Sequence, residues 1–135
     1  MKNLIFVTGN EHKFEIAKNS LKAIGYEAVQ EELDTPEIQS TDVVEVASYS
    51  AKWAAEKLNK PVTLMDAGYY IEALNGFPGP FIKFINKWLS SEDILRLMDG
   101  KTNRNILMKF CLVYCEPGKI PVTFLSEARG KIAQK

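Results

Sequence analysis

The chain has 135 residues, enough for one domain with a buried core, expected to span residues 1–135. Apolar residues make up 46% and charged residues 25%, a globular balance that excludes a disordered chain. With 17 basic and 17 acidic side chains the formal charge is zero, which excludes a global field recruiting nucleic acid or an anionic membrane. Any anion must be held by a local site.

Leu4 to Val7 is a short apolar run stopped by Thr8-Gly9-Asn10, which predicts a buried strand feeding a turn. The run is too short for the apolar region of a signal peptide, and no stretch approaches a membrane span. Asn10 is a good N-cap, and Phe14, Ala17, Leu21 and Ile24 follow at helical spacing up to Gly25. A second strand is expected at Glu27 to Gln30, ahead of a polar loop containing Asp34-Thr35-Pro36-Glu37.

A helix fits Asp42 to Leu58, capped by Asp42, with Val43, Ala47, Ser50, Ala54 and Leu58 on one stripe. Asn59-Lys60-Pro61 ends it. Val62 to Met65 is the next expected strand, with Asp66-Ala67-Gly68 at its carboxyl end and Tyr69 to Leu74 extended up to the Asn75-Gly76 turn.

Pro78-Gly79-Pro80 precedes a helix from Phe81 to Leu89 whose Phe81, Phe84, Ile85 and Trp88 share a face. Ser90 with Asp93 opens a further short helix through Met98, closed by Asp99-Gly100. Ile106 to Tyr114 and Ile120 to Leu125 are expected as strands joined through Glu116-Pro117-Gly118. Early alternation of strand and helix with a late antiparallel pair predicts an α/β fold, a mixed twisted sheet flanked by helices.

Cys111 and Cys115, four residues apart on a strand, point to the same face. A tetrahedral metal site needs about four ligands and the sequence offers no further Cys or His nearby. They are therefore expected as buried thiols of a cytoplasmic protein.

Three stretches carry candidate chemistry. In Thr8-Gly9-Asn10-Glu11-His12-Lys13, a glycine turn enters a helix N-terminus, where unpaired N–H groups and the dipole suit phosphate. Lys13 in the first helical turn opposes the dipole by about 1 kcal/mol, a conflict that a bound polyphosphate removes. The same sequence also suits a purely structural turn, and His12 a solvated side chain. Glu37 and Asp66 are the other two candidates. Ligands of open α/β sheets gather beyond the carboxyl ends of strands, where Val7 and Met65 are both expected to end. Mg²⁺ takes one or two carboxylates plus substrate phosphates. Solvated loop carboxylates are the competing reading.

Thr8-Gly9-Asn10 with Lys13, Asp34-x-Pro36-Glu37-x-Gln39, Lys52, Asp66-x-Gly68, and Ala73-Leu74-x-Gly76-x-Pro78-Gly79-Pro80 with Lys83 occur in this order. Together, over roughly residues 3 to 115, they resemble the inosine triphosphate pyrophosphatase family, the non-standard purine NTP pyrophosphatases. The resemblance implies a homodimeric α/β enzyme that cuts ITP, dITP and XTP to monophosphate and pyrophosphate with Mg²⁺. It implies that Thr8, Gly9, Asn10, Lys13, Lys52 and Gly68 bind the substrate. It further implies that Glu37 and Asp66 hold the metal, and that Asp66, Lys13 and Lys52 carry catalysis. Lys83 shares a polar helix face with Lys87 and suits a solvated role equally well.

The pattern breaks in two places. Met65 stands where the family carries a second acid, and Ala67 where a Ser or Thr often follows the aspartate. The chain is also expected to lack the family's C-terminal aromatic-Trp-Asp and Ser-His-Arg segments, which recognise the base. That leaves Arg104 and Arg129 as side chains that either approach a nucleotide or stay on the surface. Three readings follow: a Mg²⁺-dependent pyrophosphohydrolase, a degenerate homologue that binds nucleotide or only dimerises, and a fragment of a longer enzyme. For the dimer, the aromatic stretch Phe77 to Trp88 is expected either to cover a partner or to pack inside the chain.

Overall fold

A computed structural model describes residues 2–134. Strand β1 (Lys2–Val7) leads to helix α1 (Glu11–Lys22), strand β2 (Tyr26–Glu31), helix α2 (Val43–Leu58) and strand β3 (Val62–Ile71). A short 3₁₀ turn (Glu72–Leu74) precedes the two-residue strand β4 (Pro78–Gly79). Helices α3 (Ile82–Trp88) and α4 (Ser91–Leu97) and strands β5 (Asn105–Cys115) and β6 (Val122–Lys131) complete the chain. The strand order is β2-β1-β3-β5-β6, with β4 pairing β3. β1 runs parallel to β2 and β3, and β4 antiparallel to β3, so the mixed sheet and α/β class expected from the sequence are both present.

The chain divides into two compact units. One comprises Met1–Ile38, Ala47–Met65 and Leu112–Phe124, the other Gln39–Val46, Asp66–Cys111 and Leu125–Lys135. No described helix is long and apolar enough to cross a membrane.

Capping sets where the helices begin. Asn10 stays extended and accepts from the His12 and Lys13 amides, which starts α1. Asp42 accepts from the Val44 amide at 2.9 Å and lies just outside α2. Ser90 and Asp93 form a reciprocal capping box at α4. α1 ends earlier than expected: the Ile24 amide bonds the Leu21 carbonyl in a tightened last turn, Gly25 takes a positive φ, and Ile24 is left exposed.

The apolar stripe of α2 is the best-buried helical face. Val43, Ala47, Ser50 and Ala54 are buried, joined by Val46, Ala51 and Ala55, while Leu58 is half-buried. Small residues there let the helix approach closely, and the Ser50 hydroxyl donates to the Pro36 carbonyl at 2.8 Å. Cys111 and Cys115 are both buried free thiols, as their spacing predicts.

Three expectations need correction. Strand β3 does not end at Met65: it runs through Asp66, Ala67 and Gly68 to Ile71, because Tyr69 and Tyr70 find partners in Gly79 and Pro78 of β4. β6 starts at Val122, not Ile120, and continues past Leu125 to Lys131; pairing with β5 holds its polar second half extended. On α3, Phe84 and Trp88 do not enter a core. They stack on each other at 6.3 Å with Trp88 73% exposed.

Candidate active site

The N-terminus of α1 is built by local hydrogen bonds. The Asn10 amide donates to Thr8 Oγ1 at 3.1 Å, and Asn10 Oδ1 accepts from the His12 and Lys13 amides at 2.9 and 3.1 Å. Thr8 is anchored on both sides, its amide donating to the Glu31 carbonyl and its carbonyl accepting from Gln30 Nε2 at 3.3 Å. Asn10 Oδ1 occupies the position from which an anion would receive helix N–H groups, and Lys13 stands half-buried in that first turn. Two side chains here carried no signal in the sequence. A Cβ on Gly9 would meet Glu32 Oε1 at 3.1 Å, and Gln30 Nε2 also donates to Glu11 Oε1 at 3.1 Å. Both contacts link residues about twenty positions apart, so no local motif encodes them.

Glu37 is exposed in the irregular segment between β2 and α2. The bond from Ser50 to Pro36 pins the neighbouring backbone to α2. Lys52 is exposed one helical turn before Glu56. Both charges reach Cys115, whose thiol is held above its ordinary pKa by burial first, reinforced by Glu56 and opposed by Lys52.

Asp66 lies half-buried within β3, three residues past the Phe6↔Thr63 pair. Its Oδ1 accepts from the Ala67 amide at 2.9 Å, which fixes one carboxylate oxygen. Alternation along β3 places Asp66, Gly68 and Tyr70 on one face. The Tyr70 ring fills the space that a side chain at Gly68 would need: a Cβ there would sit 2.7 Å from Tyr70 Cε2. Gly79 is similarly close to the ring, at 3.3 Å from Cε1. The Tyr70 hydroxyl donates to the Thr41 carbonyl at 3.1 Å, and Lys109 Nζ stands 5.0 Å from the ring centroid. Burial raises the Tyr70 pKa, with added push from Asp42 and Asp66 against a lowering backbone contact at Val43. Cys111 is also raised, by burial, then Asp66, then Asp42. The negative charge of Asp66 is thus felt by both Tyr70 and Cys111.

Met65 and Ala67 flank Asp66, both half-buried. Lys83 is exposed on α3. Arg104 donates through Nε to the Ile132 carbonyl at 3.0 Å and through an Nη to the Ala133 carbonyl at 2.7 Å, which ties down backbone after β6. It also lines an open cleft of about 280 Å³ with Glu92, Leu95, Arg96, Asp99 and Gln134. Arg129 is exposed on β6. Among the described residues no group of three or more His, Cys, Asp or Glu is arranged to hold a metal.

A profile of the Ham1 family matches residues 4–135. The chain is 44% identical over 132 residues to a dITP/XTP pyrophosphatase of Methanopyrus kandleri, spanning 98% of this chain and 70% of that protein. It is 41% identical over 133 residues to the dITP/XTP pyrophosphatase of Methanosarcina acetivorans, spanning 98% and 72%. Among solved structures, a HAM1 protein from Coxiella burnetii superposes with a TM-score of 0.85 at 21% identity, over 100% of this chain and 75% of that one. The Staphylococcus aureus Ham1 protein does so with a TM-score of 0.80 at 22% identity, over 98% and 73%.

Proposed function

This chain belongs to the Ham1 family, and from that premise we propose that it hydrolyses non-standard purine nucleoside triphosphates, ITP, dITP and XTP, to monophosphate and pyrophosphate. The observation that carries the proposal is the turn at α1: Asn10 holds the His12 and Lys13 amides while Lys13 stands at the positive end of the helix. A lysine there is unfavourable beside the dipole alone and favourable once a polyphosphate lies between.

Thr8, Gly9, Asn10 and Lys13 bind the phosphates, with Lys52 adding positive charge and Gly68 allowing close approach of backbone. Asp66 orients the attacking water and takes its proton. Its half-buried position and its bond from the Ala67 amide fix the carboxylate for that role. Lys13 and Lys52 stabilise charge that grows on the phosphoryl oxygens.

The donor set fits Mg²⁺. Without a cage of three or more ligands among the described residues, the protein contributes Glu37 and Asp66, two hard carboxylates, and phosphate oxygens complete the shell. Bound there, the ion would neutralise phosphate charge. The same reading makes the protein a cytoplasmic homodimer with no nucleic-acid or membrane partner.

A second reading, nucleotide binding without turnover, is favoured by Met65 and Ala67, which remove oxygen donors on either side of Asp66. Incubation with ITP, dITP, XTP and ATP in Mg²⁺, followed by a pyrophosphate assay, separates the two. The hydrolase reading requires release that Asp66→Asn abolishes. Saturable nucleotide binding without any release would select the second.

A further inference from the structure

Strand β6 carries an inference independent of hydrolysis. It stands at the end of the strand order, so β5 covers only one of its edges, and nine of its ten residues are exposed. A ten-residue edge presents a row of unpaired N–H and C=O groups, which natural sheets blunt with Pro, a bulge or short length. Val122–Lys131 contains no Pro, and Phe124 and Leu125 are 57% and 48% exposed on it. A chain of zero net charge also lacks the self-repulsion that keeps copies apart.

The sequence of the strand is complementary to itself. Laid antiparallel on a second copy about a two-fold axis at Ala128, Glu127 stands opposite Arg129 of the second copy, and Arg129 opposite Glu127. Leu125 then meets the aliphatic stem of Lys131, and Ser126 meets Gly130. Alternation puts Leu125, Glu127, Arg129 and Lys131 on one face and the small Ser126, Ala128 and Gly130 on the other, so no bulky side chain obstructs the pairing. Centring the axis on Glu127 or Arg129 instead sets like charges directly opposite. The charge pattern therefore selects one register.

We propose that β6 is a docking edge for a second copy of this chain, paired antiparallel about Ala128 with two Glu127–Arg129 contacts across the axis. These residues are exposed and none belongs to the nucleotide site, so their substitution leaves the fold and the basal activity in place. The test is sedimentation equilibrium of the full chain over a micromolar series, for wild type, Glu127→Arg, Arg129→Glu, the double exchange, and Trp88→Ala. The expected result is a dimer weakened by about tenfold in each single charge variant and restored in the double exchange. Trp88→Ala should leave it intact. A wild type that is monomeric throughout, or a dimer indifferent to both single exchanges, or one dissolved by Trp88→Ala alone, overturns the proposal.

Discussion

The ring of Tyr70 occupies the space beside Gly68, where a Cβ would stand 2.7 Å from Cε2 and 3.0 Å from the hydroxyl. The ring cannot simply swing away, because its hydroxyl is bonded to the Thr41 carbonyl and Lys109 stands 5.0 Å from its centroid. Gly68→Ala should therefore cost about 1–3 kcal/mol, the usual range for overpacking. Urea denaturation measures the cost, and Tyr70→Leu in the same chain should return part of it. A Gly68→Ala variant as stable as wild type would show that the contact is not restrictive.

Asn10 has two separable properties, the cap and the proposed phosphate contact. Asn10→Ala removes acceptors for the His12 and Lys13 amides and should lower stability by about 1 kcal/mol. Asn10→Asp keeps the cap but places a negative charge where the triphosphate is proposed to lie. It should fold as well as wild type yet show a raised KM for ITP. Equal KM values for the two proteins would remove Asn10 from the binding turn.

These two positions also show what the sequence could and could not reveal. The Asn10 cap and the Ser90–Asp93 box were legible because both signals lie within four residues. The path of β3 was not. Asp and Gly are poor strand formers, so Asp66-Ala67-Gly68 reads as a loop, and only partners distant in sequence keep it extended. Likewise nothing near Arg104 in sequence announces that its guanidinium bonds carbonyls 28 and 29 residues away. The residues proposed for phosphate and metal were all found by their ordered spacing. Glu32 against Gly9 and the Tyr70 ring over Gly68 were missed, because each is a packing relation.

Ser50→Ala tests whether the Glu37 segment depends on α2. The buried hydroxyl donates to the Pro36 carbonyl, and its loss should cost about 1 kcal/mol in chemical denaturation. With Glu37 next in sequence and proposed to hold Mg²⁺, the Mg²⁺ concentration for half-maximal pyrophosphate release should rise as well. A stability loss with an unchanged Mg²⁺ requirement would separate Glu37 from the metal.

Alkaline pH should destabilise the fold through its thiols. Both Cys111 and Cys115 are raised in the folded protein, burial being the first cause in each. A raised folded pKa means that the unfolded chain gives up its protons first as pH climbs. The contribution is therefore fully present below the ordinary thiol value of about 8.5 and is lost as pH rises from there through the folded values. Unfolding midpoints measured from pH 7 to pH 10 should fall above that value. A Cys111→Ala, Cys115→Ala protein should lose the part of the slope that these thiols supply.

Cys111 also reports on Asp66 without any nucleotide present. Its thiol is raised by burial, then by the charge of Asp66, then by that of Asp42. Asp66→Asn removes one of these negative charges while keeping the side-chain shape and an oxygen able to accept from the Ala67 amide. The Cys111 pKa should then fall, so that alkylation of this thiol begins at lower pH. Mass spectrometry that resolves the two cysteines reads the shift directly. Cys115 answers to Glu56, Lys52 and Glu116 rather than Asp66, so its profile should stay in place and serve as the internal control. If both profiles move together, the variant has loosened the fold, and its loss of pyrophosphate release no longer argues for Asp66 as the base. If only Cys111 moves, that loss belongs to the missing carboxylate charge.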